Sequence, residues 1–143
     1  MRSKYMIRVL LITACLTGWF LNVADASDGI KWYSYEEGKV LAKIEKKKVF
    51  LHFYAYWCVF CRKMAKETFQ DANVVSNLND TFIPIRVDTD SERDTALKYG
   101  VTGLPANWFL TEMGQPIVNI PGFIAPDAIL SLLKEVSEVK TGG

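Results

Sequence analysis

Val49-Phe50-Leu51-His52-Phe53-Tyr54 leads through Ala55-Tyr56-Trp57 into Cys58-Val59-Phe60-Cys61-Arg62-Lys63-Met64-Ala65. The first six residues, rich in β-branched and aromatic side chains, are long enough for a strand. They are apolar on both faces except at His52, which suits a central strand covered on both sides. Beyond the turn, Cys61, Met64, Ala65 and Thr68 recur at helical spacing, a face that can lie on a sheet. Two cysteines therefore stand where a strand hands over to a helix.

That placement supplies chemistry. Backbone N–H groups of a first helical turn point at the Cys58 sulfur, and the helix dipole favours an anion there. A thiolate attacks disulfides and a thiol does not, so a depressed pKa makes Cys58 the nucleophile. Cys61, one turn further on, is within reach to resolve a mixed disulfide. The expectation is an exposed Cys58 and a partly buried Cys61. Two other readings share the spacing. A structural zinc needs two more Cys or His ligands, and beyond residue 26 only His52 remains, so no metal site is expected. An inert bridge closing so short a loop would constrain the unfolded chain little.

Working outward, Ser34 with Glu37 forms a capping box, and Val40, Leu41 and Ile44 give the following helix an apolar face. Lys46-Lys47-Lys48 suits a solvated helix end. A short helix is expected over Asp71 to Leu78 and a strand over Phe82 to Val87. Pro84 leaves that strand a free or poorly paired side. Ser91 is expected to cap a helix through Tyr99 that Gly100 stops. Strands over Ala106 to Leu110 and Ile117 to Ile120 join through Met113-Gly114. Pro126 opens a last helix with Ile129, Leu132, Leu133 and Val136 on one side. The first two strands, linked through a helix, should be parallel and the last two an antiparallel hairpin. The economical arrangement is α/β, one mixed sheet with helices on both faces.

The chain has 143 residues, half of them apolar, which is enough for one domain. A formal net charge of +1 gives no reason to expect nucleic acid. Residues 1–26 read as a secretory signal peptide: Arg2, Lys4 and Arg8 are basic, Val9 to Val23 is largely apolar, and Ala24-Asp25-Ala26 offers a cleavage site. A retained anchor is the alternative, although the apolar run is short of a span of about 20 residues. Lipoprotein processing at Cys15 is another. Cleavage leaves a domain of residues 27–143 with net charge −1 and Cys58 and Cys61 as its cysteines, in a compartment where disulfides persist. The last residues, 141–143, read as a loose tail.

Tyr56-Trp57-Cys58-Val59-Phe60-Cys61-Arg62-Lys63 resembles the active site of the thioredoxin superfamily, and Gly103-Leu104-Pro105 lies before a strand, where that superfamily keeps a cis-proline. Trp57-Cys58-Val59, Thr68-Phe69, Gly103-Leu104-Pro105 and Gly122-Phe123 are similar in order to the periplasmic C-terminal thioredoxin-like domain of the DsbD reductases. The resemblance spans nearly all of residues 27–143, without that family's transmembrane electron-transfer domain. It implies a thioredoxin fold with a sheet of four to five strands. It implies a periplasmic or otherwise extracytoplasmic thiol–disulfide oxidoreductase in which Cys58 attacks, Cys61 resolves and Trp57 shapes the rim. Leu104 and a cis Pro105 would receive an extended substrate segment; without the resemblance, Pro105 is an ordinary trans turn proline.

His52 departs from that pattern, standing where the family has a buried acid, and Ala65 stands where the DsbD domain has a glutamate. A neutral His52 could take the Cys61 proton, a cationic one would favour thiolates, and a plain core histidine is the third reading. Reduction of exported disulfide proteins, fed by a membrane thiol-transfer protein and needing no cofactor beyond the cysteine pair, is the leading expectation, with a monomer as default. An oxidase or isomerase of the same fold is the alternative, as is a client-binding or copper-carrying module.

Overall fold

The computed structural model describes residues 29–140. The signal peptide of residues 1–26, its cleavage site, the anchor and lipoprotein readings and the tail at 141–143 lie outside the described residues. Among those described, no helix is long and apolar enough to cross a membrane.

The elements in chain order are α1 (Tyr35–Glu45), β1 (Lys48–Tyr54), α2 (Val59–Lys66), a 3-10 turn (Thr68–Gln70) and α3 (Ala72–Thr81). They continue with β2 (Phe82–Asp88), α4 (Arg93–Lys98), β3 (Ala106–Leu110), β4 (Pro116–Pro121) and α5 (Pro126–Glu138). The four strands form one sheet in the order β2-β1-β3-β4. β1 runs parallel to β2 and antiparallel to β3, and β3 and β4 form the expected hairpin. Gly114 at φ +83° turns that hairpin, in the left-handed region that suits glycine.

Alternation along β1 sorts the core into two layers. Val49, Leu51 and Phe53 point into a cluster with Tyr35 and Ala42 of α1 and Ala96 of α4. Phe50 points the other way, into Met64 of α2, Val74 and Leu78 of α3 and Ile129, Leu133 and Val136 of α5. All five residues from Val49 to Phe53 are buried, as a central strand requires.

Local chemistry sets the ends. Ser34 and Glu37 close a reciprocal capping box on α1, and the Ser34 hydroxyl and backbone pull the Glu37 carboxyl below its usual range. Lys46 ends α1 in the left-handed region, and the Lys48 ammonium reaches the Ser137 carbonyl near the end of α5. β2 is an edge strand. The Tyr33 amide donates to the Pro84 carbonyl at 2.9 Å and the Arg86 amide to the Tyr33 carbonyl at 3.3 Å. Both Pro84 and Arg86 thus face the outer edge, where a missing proline N–H costs least.

Three local expectations are corrected. Of the expected face of α1, Leu41 packs against the core, but Val40 and Ile44 are 59% and 71% exposed, and the buried residues are Tyr35, Gly38 and Ala42. The reason is clearance: Gly38 lies so close to the Ile85 side chain that a β-carbon would collide with it, so the smallest residues turn inward. Ser91 does not cap α4. Its hydroxyl donates to the Asp88 carbonyl, and Glu92 occupies the N-cap position without a side-chain bond. α2 stops at Lys66, so buried Thr68 belongs to the 3-10 turn, where its hydroxyl donates to the Ile124 carbonyl at 2.6 Å; Ala65 is exposed.

Candidate active site

Cys58 is the N-cap of α2, with extended backbone (φ −72°, ψ 112°). Its sulfur accepts the Cys61 amide at 3.1 Å, so an amide of the first turn is aimed at the sulfur, as expected for a helix start. The two cysteines are joined as a disulfide, their Cα atoms 5.2 Å apart. Contrary to the expected contrast, both are buried, at 5% for Cys58 and 4% for Cys61. In the bridged state each sulfur covers the other, and the pair packs on Ala55 with Tyr54 and Leu104 against it.

Around this buried pair stands an exposed apolar collar of Tyr56, Trp57, Val59 and Phe60. Trp57 is 66% exposed, and its indole Nε1 donates to the Asp90 carboxylate at 3.0 Å, tying the collar to the loop after β2. Arg62 holds the same turn through a 2.8 Å bond to the Tyr56 carbonyl. From the opposite side come Leu104 and Pro105, joined by a cis peptide bond. The structure therefore brings Cys58, Cys61 and Leu104 into one cluster, with Pro105 next in the chain and Trp57 on the rim.

His52 lies on the second side of β1, stacked on Tyr54 and edge-on to Phe69 with ring centroids 5.0 Å apart. Along with Cys61, Trp32, Tyr54 and Arg86, it lines a cavity of about 350 Å³. Burial pushes its pKa down to about 4; the Asn107 hydrogen bond opposes the shift and the Arg86 charge adds to it. Burial thus favours the neutral imidazole near neutral pH in the bridged state. Burial also raises the Tyr54 phenol, to about 12, so it too is uncharged.

Asn107 is the site residue that the sequence reading missed. Fully buried on β3, it sits directly across from His52 in the antiparallel register, and its Oδ1 is 2.8 Å from His52 Nδ1. The available signal was a polar residue inside each of two otherwise apolar strands. Among the described residues, no group of three or more His, Cys, Asp and Glu side chains is placed to hold a metal ion.

With this geometry in view, a family profile described as a thioredoxin-like domain matches residues 35–137. The chain belongs to the thioredoxin-like family of thiol–disulfide oxidoreductases. A protein disulfide isomerase-like 5-2 from Oryza sativa subsp. japonica is 32% identical over 105 residues, covering 65% of this chain and 24% of the relative. The thiol:disulfide interchange protein DsbD of Yersinia pestis is 28% identical over 144 residues, covering 92% of this chain and 24% of the relative. The chain thus spans about a quarter of the length of these relatives. Among solved structures, a thioredoxin from Thermus thermophilus superposes with a TM-score of 0.70 at 24% identity, covering 77% of this chain and 88% of that one. A DsbH oxidoreductase reaches 0.69 at 21% identity, covering 87% and 96%. At such identities these two likenesses speak for the thioredoxin fold, an α/β architecture.

Proposed function

We propose that this thioredoxin-like domain works outside the cytoplasm, in the periplasm, as a monomeric reductase of disulfides in exported proteins. The observation that carries the reading is the Cys58–Cys61 bridge at the start of α2, its Cys58 sulfur facing a helix amide inside an apolar collar. In the reduced protein, Cys58 as thiolate attacks one sulfur of a client disulfide and releases the other. Cys61 then attacks Cys58, freeing the client as a dithiol and leaving the bridge. Leu104 and Pro105 offer backbone to an extended client segment, and Trp57 with Phe60 offers apolar contact beside the cystine. The cycle needs no cofactor beyond the cysteine pair. A membrane thiol-transfer protein restores the dithiol.

The reduction potential, measured by equilibration against glutathione, tests the direction. A value near or below about −230 mV supports the reductase, and one above roughly −150 mV overturns it in favour of an oxidase. The rice relative is named protein disulfide isomerase-like, and a value near about −180 mV would support an isomerase. A Cys61→Ser variant should accumulate client mixed disulfides through Cys58. A variant that holds clients without covalent adducts would point to a binding module instead.

A further inference from the structure

Resolution by Cys61 requires its thiol to lose a proton, and the cavity behind it contains one neutral nitrogen base, His52. Which of its nitrogens can accept is decided by Asn107. The Asn107 Nδ2 donates to two carbonyls, Ile120 at 3.0 Å and Gly122 at 2.9 Å. Turning the amide over would set its oxygen against both carbonyl oxygens, so Oδ1 must be the atom facing His52. An oxygen of this kind accepts and cannot donate, so His52 Nδ1 must carry the proton and donate at 2.8 Å. Nε2 then holds a lone pair and is the ring nitrogen left for the cavity that His52 and Cys61 both line.

Resting on the oxidoreductase reading above, we propose that Asn107 is a positioning residue: it locks His52 in the Nδ1–H tautomer so that Nε2 takes the Cys61 proton when the mixed disulfide is resolved. In that step the Cys61 S–H bond breaks and the proton passes to Nε2, directly or through a water in the cavity. The Cys61 thiolate forms a bond to the Cys58 sulfur. The Cys58–client S–S bond breaks, and the client sulfur leaves with the bonding pair. The imidazolium returns the proton through the cavity to the client thiolate. Over the cycle the client disulfide gains two electrons and two protons, and the dithiol gives up both.

The surroundings fit this task. Asn107 is bonded to the end of β4 and the Gly122 loop, and the Gly122 amide in turn donates to the Pro105 carbonyl at 2.8 Å, so the lock is anchored to the segment beside the cysteines. The charged and titratable groups facing the cavity are Arg86 from β2, Tyr54 from β1, Tyr56 from the turn and Arg62 and Cys61 from α2. Arg86 lies over the Tyr54 ring, 5.5 Å from its centroid. Arg86 disfavours a resting imidazolium, while a nascent Cys61 thiolate is the charge there that would favour one.

The chain has a single histidine, so the imidazole ¹⁵N spectrum of the wild-type protein reads the tautomer without assignment ambiguity. The expected spectrum is that of neutral Nδ1–H imidazole at pH 7, and an Nε2–H spectrum overturns the proposal. The kinetic arm loads Cys58 with thionitrobenzoate and follows its release by Cys61 across pH 5–9. His52→Leu should slow release on the order of 10²-fold near neutral pH, the usual scale of a lost general base, and make it depend steeply on hydroxide. Asn107→Leu should slow it less and lose the fixed tautomer. Asn107→Asp, as the neutral acid, keeps an oxygen acceptor for Nδ1 and an O–H donor for the Ile120 or Gly122 carbonyl, and should restore the tautomer. Release by His52→Leu at the wild-type rate and pH profile overturns the proton-transfer role even if the tautomer is as stated. A wild-type adduct that Cys61 never resolves sinks the oxidoreductase reading itself, an outcome distinct from either of these. The wild-type spectrum keeps the lock falsifiable even if the Asn107 variants fail to fold.

Discussion

The two faces of β1 take alternate residues of one strand and differ in chemistry. On one, Val49, Leu51 and Phe53 pack in a cluster of aliphatic and aromatic side chains under α1 and α4. On the other, Phe50, His52 and Tyr54 alternate an apolar ring with two polar ones under α2 and the N-terminal segment carrying Trp32. The register makes the contrast exact in position: Leu51 is flanked by Ile85 and Trp108, and His52 by Arg86 and Asn107. A buried strand can carry a polar group where the neighbouring strand supplies its partner. The apolar face contributes packing alone, whereas the mixed face adds to its own packing a polar pair beside the cavity that Cys61 lines.

The largest effect should come from the apolar face. Phe53 is fully buried, and Phe53→Ala should cost about 3–5 kcal/mol in denaturant unfolding, the usual price of a large core truncation. A loss under about 1 kcal/mol would break the division of labour between the faces. On the mixed face the corresponding quantity is a pH dependence. Folding lowers the His52 pKa from 6.5 to about 4, so the unfolded chain binds the extra proton between those values. That contribution to stability is complete above pH 6.5 and is lost as pH falls towards 4, amounting to about 3 kcal/mol. Carboxylates titrate in the same window, so the measurement is the difference in stability-against-pH slope between wild type and His52→Leu. Equal slopes would mean that His52 is not held neutral.

A smaller effect tests the seam between α1 and β2. Gly38→Ala places a β-carbon against Ile85 and should cost about 1–3 kcal/mol by overpacking, although alanine is the better helix former. A stabilised variant would show that α1 can slide away, and that the seam on the apolar face is looser than the one around His52.

What could be read in advance follows from how far each feature depends on partners. The β1–turn–α2 unit, the two cysteines at its junction and the hairpin at Gly114 are local patterns in chain order, and the structure has them where the sequence puts them. Pro84 marked the edge strand because a missing N–H is a property of the residue itself. The His52–Asn107 pair was not legible, since the two are 55 residues apart and only strand register brings them together. Nor did strand alternation alone say which face His52 takes; the Trp32 and Phe69 rings, both remote from β1 in sequence, define that face. The near-equal burial of Cys58 and Cys61 is likewise a property of the bridge and of Leu104 arriving from beyond β2.

The turned-round face of α1 offers the last and smallest test. Apolar character singles out Val40, Leu41 and Ile44, yet the helix rests on Tyr35, Gly38 and Ala42 with Leu41 at the margin, because the close approach to Ile85 at Gly38 admits only a small residue there. If that is the governing reason, Ile44 contributes little to folding despite its bulk, being 71% exposed. Ile44→Gln should then move stability by less than about 0.5 kcal/mol in either direction, as expected for a surface substitution with no buried partner. Ala42 differs in the opposite sense. It is fully buried beside Val49, and Ala42→Val should be destabilising by overpacking although it adds apolar surface. Measured together by urea unfolding, the pair separates clearance from hydrophobicity. A large loss from Ile44→Gln with a neutral Ala42→Val would restore the apolar stripe as the packed face and overturn the account of α1 given by its geometry.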